Sequence, residues 1–407
     1  MPRTTLALTS FVSGEFSAKL DGRTDFQKYN TSCKTLENFL IHPQGAATRR
    51  VGTQFIAEVK SSAAKTRLIP FEFSTTQTYI MEFGNNYIRF FKDKGQITSG
   101  GSAYEISSPY ATSELFDIKF AQSADVMYLC HPNHDVRKLS RTGHTSWTLA
   151  TVSFTGSPSP AISGADNRPS CVSFFEQRLV FANTNNNPQT LFFSKSGDYE
   201  NMTTGTNADD AMIYTIASNQ VNAIQFLKAQ RTLIVGTTGG EFTVSADGTN
   251  ASITPTNILI NRQSSYGSAN VDAIPAGNAT LFLQRAKRKI RELAYNFDVD
   301  GYQAADLTIL NDTVTASGVN EMAYQQSPDS ILWCVRDDGV LAGLTYQRAE
   351  QVTAWHRHIL GGAFGNGSAV VESVASISGA INEDELWVIV KRTINGATKR
   401  YVECFAD

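Results

Sequence analysis

The sequence predicts an all-β chain folded as a β-propeller, and three observations carry that expectation. Helical periodicity is scarce. Short apolar runs bounded by Gly, Asn, Asp, Ser and Pro recur throughout, among them "RLIPFEF", "TYIMEFG", "VMYLC", "RLVFA", "TLIVG", "ATLFLQ", "ILWCVR" and "ELWVIV", the pattern of buried strands. A polar step followed by such a strand also repeats, with anchors at Tyr79, Val126, Leu179, Leu233, Phe282, Ile331 and Leu386. A period of roughly 50 residues with three or four strands per unit marks a propeller, because one small sheet cannot bury both faces alone and radial packing buries them. The expectation is about six to eight blades of antiparallel hairpins. One unit is either completed across the chain ends or belongs to an accessory sheet. The competing architecture is a pair of β-sandwiches with similar hairpin spacing.

Taken in order, residues 1–66 read as an N-terminal arm and hairpin, and residues 67–407 as the propeller-like domain. "TSFVSGEFSAKLDGRTDFQKYN" is polar and aperiodic, an extended arm. "CKTLENFLIHPQGAATRRVGTQFIAEV" reads as two strands around a Pro-x-Gly turn. Within the domain the hairpin turns are legible as "GNN" after Phe83, "TTGG" after Gly236, "RDDG" before Val340 and "TING" before Ala397. Asn, Asp and Gly accept positive φ at low cost. The segment from Ile331 to Ile359 reads as a blade: "ILWCVR", the turn "DDG", "VLAGLTYQ", the turn "RAE", then "VTAWHRHI". Alternation puts Val352, Ala354, His356 and His358 on one face and Trp355 and Ile359 on the other, with the tryptophan packed between blades.

Composition excludes several classes. The chain has 407 residues, 41% of them hydrophobic, enough for a sizeable core. Its 35 basic and 38 acidic residues leave a net charge of -3, which argues against a dedicated DNA binder. Five widely spaced cysteines (Cys33, Cys130, Cys171, Cys334, Cys404) fit neither a disulfide framework nor a zinc ribbon and read as free buried thiols. The first residues do not read as a signal peptide, and no apolar stretch approaches the ~18 residues of a membrane span.

Candidate chemistry is sparse. "RAKRKIREL" places Arg285, Lys287, Arg288, Lys289 and Arg291 close together, a candidate contact to DNA or a neighbouring subunit, or else a solvated hairpin turn. Arg49 and Arg50 in "TRRVGT" suit a carboxylate on a neighbouring subunit or a DNA contact, or sit on an exposed hairpin. "HPNH" offers His131 and His134, with His144 further on, but no third or fourth ligand is visible, so these read as surface-loop histidines. "DVDG", with Asp298 and Asp300, and "SADGTN" lack calcium-loop spacing and read as turns. "GTTGGE" lacks the phosphate-binding lysine, and there is no GxSxG. His356 and His358 share a face, a two-ligand clip at most. The expectation is no catalytic residue, no cofactor and no metal: not an enzyme.

Several stretches carry a resemblance. They are "FVSGEFSAKLDGRTDFQKY", "CKTLENFLIHPQGAATRRVGTQF", "LIPFEFSTTQTYIMEFG", "KFAQSADVMYLCHP", "LFLQRAKRKIRELAYNFDVDGYQAADLTIL", "ILWCVRDDGVLAGLTYQRAEQVTAWHRH" and "KRTINGATKRYVECF". Together, in this order, they resemble the tail nozzle (tail tubular protein B) family of short-tailed bacteriophages and related phage virion propellers. Val51 departs from the family's usual "RRPGT". The resemblance implies a structural virion protein, assembled in the host cytoplasm, forming a homohexameric ring below an adaptor ring of the tail tubular protein A type. That ring continues the DNA-ejection channel, with tail fibres as further partners and genomic DNA passing without specific binding. Heterologous contacts repeated around an axis close such a ring. The alternative is a propeller enzyme or binding module for host cell-surface polysaccharide.

Overall fold

The structure, a computed structural model, describes residues 8–217, 220–248, 251–379 and 383–406. Seven antiparallel sheets succeed one another at 67–107, 119–151, 171–215, 224–264, 274–306, 319–358 and 370–405. We number them blades 1 to 7. Each of the seven repeat anchors falls on the second strand of a blade. The reason is burial. The second strand is covered by a neighbouring blade on each face, so Arg178–Ala182, Leu233–Thr237 and Ala279–Leu283 are buried at every position. A strand buried on both faces reads as a continuous apolar run rather than an alternating one.

The core is distributed rather than central. Seven apolar clusters fill the seven gaps between neighbouring blades. Between blades 1 and 2, Phe83 and Phe90 meet Met127 and Trp147. Between blades 5 and 6, Leu281 and Leu283 meet Leu344 and Trp355. Trp355 packs between blades as the alternation predicts, and its Nε1–H donates to the Leu307 carbonyl at 2.8 Å. The turn after Arg336 requires glycine. Gly339 has φ +81°, and a Cβ there would lie 2.4 Å from a Val370 methyl. Cys130, Cys171, Cys334 and Cys404 are buried and Cys33 is half-buried, and none of them forms a disulfide among the described residues.

The circle closes through the chain's N-terminal part. Strand Thr53–Glu58 pairs antiparallel with Ala397–Phe405 as the fourth strand of blade 7. The boundary expected at residue 66 is therefore corrected: 53–58 belong to the propeller. Ring closure sets that boundary, because blade 7 supplies only three strands of its own and the fourth covers an exposed edge.

The remaining arm lies on the outside of blade 6. Gly14–Glu15 runs parallel to both Val352–His358 and Ser32–Cys33, extending that sheet to six strands. Phe39–Ile41 and Ala47–Arg49 form the hairpin expected around "PQG". Leu36 and Ile41 pack on Val352 and Ala354. Buried Glu15 accepts from Leu36 N–H at 2.9 Å and from Arg357 Nε at 3.0 Å.

Candidate functional site

Charged side chains on the innermost strands meet at the propeller axis. Arg67 of blade 1 donates to Glu321 of blade 6 at 2.9 Å. The other Glu321 oxygen accepts from Ser373 Oγ at 2.6 Å and Val374 N–H at 2.9 Å in blade 7. Lys119 of blade 2 pairs with Asp272, at the entry to blade 5, at 3.2 Å. Asn270 Nδ2 donates to Asp117 at 2.8 Å across the same gap. Polar cross-links therefore span the axis.

The turns between second and third strands share one end of the molecule, the upper face, with the connections from blade to blade. On that face the connection from blade 1 to blade 2 forms a short 3-10 helix, Thr112–Asp117. Arg67 pins it from below, its Nη1 donating to the carbonyls of Leu115 and Ile118, both at 2.8 Å. Leu115 is buried, so Glu114 stands at the surface over the adjoining turn of blade 2. That turn is "HPNH", between Val126–His131 and His134–Gly143.

The histidine expectation is corrected here. His131 is not a surface-loop residue; it is only 1% exposed. Its Nδ1 accepts from Asn133 N–H at 3.1 Å, while its Nε2 is buried with no partner. His134 Nε2 donates to Glu114 Oε2 at 2.9 Å. That carboxylate also accepts from Ala111 N–H at 2.9 Å and from Asn133 Nδ2 at 3.1 Å. One ligand atom from each of Glu114, His131 and His134 lies within 4.8 Å of the other two. This is the one such trio of His, Cys, Asp or Glu among the described residues. Tyr110 stands edge-on to His134 with ring centroids 5.1 Å apart, and its hydroxyl is likewise buried without a partner. Burial pushes the Glu114 carboxyl up, but its bonds to Ala111, His134 and Asn133 outweigh that and hold it at about 2. Burial lowers His131, against the pull of Glu114. His144 is exposed at the opposite end of blade 2, where its Nδ1 bonds the Tyr79 hydroxyl at 2.8 Å. Sequence reasoning missed Glu114 because it lies well before His131, in a connection that reads as loop. Its one local signal is a glutamate in the first helical turn, reaching back to the Ala111 N–H.

The second histidine pair is sealed. His356 and His358 share a face, as the alternation predicts, and are 0% and 1% exposed. His356 Nδ1 and His358 Nε2 lie 2.6 Å apart, with Thr345 Oγ1 3.2 Å from His356 Nε2 and the Trp333 ring 5.0 Å from His358. Gly343 makes room for the ring opposite, since a Cβ there would fall 2.2 Å from His356 Cε1. Burial pushes His356 down to about 3 and His358 well below its ordinary value.

The basic residues separate into engaged and outward-facing groups. Arg50 is tied down: its guanidinium donates to Val51 O at 2.6 Å and to Asn38 Oδ1 and Ile359 O at 3.3 Å, fastening the hairpin to blade 6. Arg291 lies over the Tyr266 ring at 3.4 Å and donates to the Ala304 carbonyl at 2.8 Å. Lys289 pairs with Asp306 at 2.7 Å, and Lys287 donates to Asn320 Oδ1 at 3.3 Å. Arg49, Arg285 and Arg288 are exposed, with no ion pair among the described residues. The 285–289 segment is thus the hairpin turn of blade 5, one of the two readings the sequence left open. "FDVDG" is a turn as expected, but it also displays Phe297 at 86% exposure, beside half-exposed Val299 and Tyr295.

Comparison with solved structures shows a β-propeller. The chain is similar to the β-propeller domain of Myceliophteria thermophila Cps50 (Swd1), at 9% identity and TM-score 0.52, over 87% of this chain and 100% of that one. It is also similar to the WD40 repeats of RRP9, at 8% identity and TM-score 0.52, over 88% of this chain and 99% of that one. At such identity the likeness concerns fold alone. No family model matches the chain, and no curated protein matches it. Among the described residues no helix is long and apolar enough to cross a membrane.

Proposed function

We propose that this chain is a structural subunit of a bacteriophage tail, a nozzle protein that assembles into a homohexameric ring beneath the tail adaptor and continues the DNA-ejection channel. One observation carries the reading. Three stretches of the resemblance are involved, 11–29, 33–55 and 331–358; residues 14–49 of the first two and the third lie far apart in sequence yet form one physical unit. The arm adds strands to blade 6, Asn38 N–H bonds the Arg357 carbonyl at 2.7 Å, and Arg357 N–H bonds the Leu36 carbonyl at 2.9 Å. Propeller closure alone does not require that unit.

The cross-linked axis adds a geometric requirement. With Lys119–Asp272 and Asn270–Asp117 spanning it, DNA passes through the lumen of the ring and not through any single propeller. Arg49, Arg285, Arg288 and the apolar tip at Phe297 are the outward groups available for subunit, adaptor or fibre contacts. Near-neutral charge suits a conduit, since each neutralised phosphate adds counterion-release affinity and drag.

A second reading, a docking module for host polysaccharide, has one observation in its favour. A shallow depression of about 450 Å³ on the lower face, between blades 2, 3 and 4, is lined by Phe174, Tyr199, Gln177, Gln230, Glu176 and Arg231, an aromatic and polar mix. Native mass spectrometry and negative-stain micrographs of the full chain, alone and with the adaptor, test the first reading. Six copies of the 44.5 kDa chain in a ring are expected. A monomer in the presence of adaptor overturns it, and retention on host glycan by that monomer supports the second.

A further inference from the structure

We propose that Glu114, His131 and His134 form a binding site for one transition-metal dication of the zinc type, with its fourth coordination position open to solvent. The inference is independent of the tail reading. Two imidazoles and one carboxylate are the donor set of open zinc centres, and imidazole also suits cobalt and nickel. The three donors come from two elements that are already rigidly placed. Arg67 and buried Leu115 hold the 3-10 helix, and the paired strands of blade 2 hold the "HPNH" turn.

Two buried polar atoms point to a ligand. His131 is 1% exposed and its Nε2 has no partner, and the Tyr110 hydroxyl beside both rings has none either. Buried polar groups are nearly always satisfied, so two orphans around one carboxylate need an explanation. Because Nδ1 of His131 accepts from Asn133 N–H, the ring proton sits on Nε2. Coordination through Nε2 moves that proton to Nδ1 and gives up the Asn133 bond. His134 likewise shifts its Nε2 proton to Nδ1, so no net proton is lost.

The geometry needs a modest contraction. Tetrahedral bonds of ~2.0–2.2 Å place donors roughly 3.3 Å apart, whereas the donors now lie within 4.8 Å of one another. His134 and Glu114 already approach to 2.9 Å, and their side chains are 21% and 19% exposed, which leaves room to adjust and a path for the ion. Asn133 Nδ2 and Ala111 N–H orient the Glu114 oxygens from behind, as supporting bonds do in metal centres. A bound ion would clip the connection between blades 1 and 2 to the adjoining turn.

The test uses the full chain, stripped with a chelator. Zn²⁺ is titrated by calorimetry and Co²⁺ by its visible absorption. One ion per chain is expected, with tetrahedral Co²⁺ bands that chelator removes and Zn²⁺ displaces. Glu114→Gln and His134→Ala should each weaken binding by more than about tenfold, beyond what loss of a supporting bond alone costs. His42→Ala, which removes the separate His42–Asp329 pair (2.8 Å), should leave it unchanged. If His134→Ala fails to fold, Glu114→Gln and the wild-type Co²⁺ spectrum decide. Absence of stoichiometric binding in the wild type overturns the proposal, as does equal binding in wild type and Glu114→Gln.

Discussion

The chain carries two close histidine pairs, and the difference between them shows how position converts one side chain into two kinds of group. His356 and His358 sit two apart on the fourth strand of blade 6, so alternation sends both rings to one face, beside Trp333. No carboxylate bonds them among the described residues; they bond each other and Thr345. His131 and His134 flank a turn, so one ring is buried and the other reaches the surface, where Glu114 meets it. The first pair is part of the core and stays neutral. The second is a ligand set.

That contrast can be broken most severely at Trp333. Trp333→Ala removes the cover over both sealed rings and should cost about 3–5 kcal/mol by chemical denaturation. In the same variant, water reaching His356 and His358 should flatten the acid dependence described next. An unchanged acid dependence would show that something other than Trp333 seals the pair.

The next largest effect is that acid dependence. The folded pKa values of His356 and His358 lie below the ordinary 6.5, His356 at about 3. Their contribution is therefore fully present above about pH 6.5 and is lost as pH falls from there toward 3. Between pH 7 and pH 5 the wild type should lose on the order of 3 kcal/mol of unfolding free energy. His358→Gln should lose clearly less over the same interval. Equal losses would assign the acid sensitivity elsewhere.

At the open pair the effects are smaller. Glu114→Ala removes bonds to Ala111 N–H, Asn133 and His134 and should cost about 1–2 kcal/mol at pH 7 without metal. That difference should be full above about pH 4.5 and shrink as pH falls from there toward 2, because the Glu114 carboxyl is held at about 2 in the fold while the unfolded chain takes up its proton first. The smallest effect is expected at the exposed tip: Phe297→Ser should stay within about 0.5 kcal/mol in thermal unfolding. Any change in assembly mass in that variant then reports a subunit contact and not a folding defect.

The two pairs also divide in how far they could be read in advance. The shared face of His356 and His358 was legible because strand alternation is local and the flanking "DDG" and "RAE" turns mark the strand ends. The trio at Glu114 was not, because nothing in "ATSELFD" announces which turn it will face. The basic run shows the same limit. Arg285, Lys287, Arg288, Lys289 and Arg291 look alike in sequence, yet Arg291 is 7% exposed under Tyr266 while Arg285 and Arg288 face solvent. Which of them is swallowed depends on Tyr266, which lies in the connection leading into blade 5.

By itself the sequence determined the strands, their turns and the regular repeat whose seven anchors each mark a blade, since these follow from alternation, turn chemistry and burial of each second strand. The tertiary structure alone decided three things. It set which segment completes blade 7, where Thr53–Glu58 joins Ala397–Phe405. It closed the axis, through Lys119 and Asp272. And it separated the histidine pair that is sealed from the one that meets a carboxylate. Each of these is a contact between residues distant in sequence or held on separate elements, fixed by how the blades close into a circle, and such contacts leave no local pattern to read.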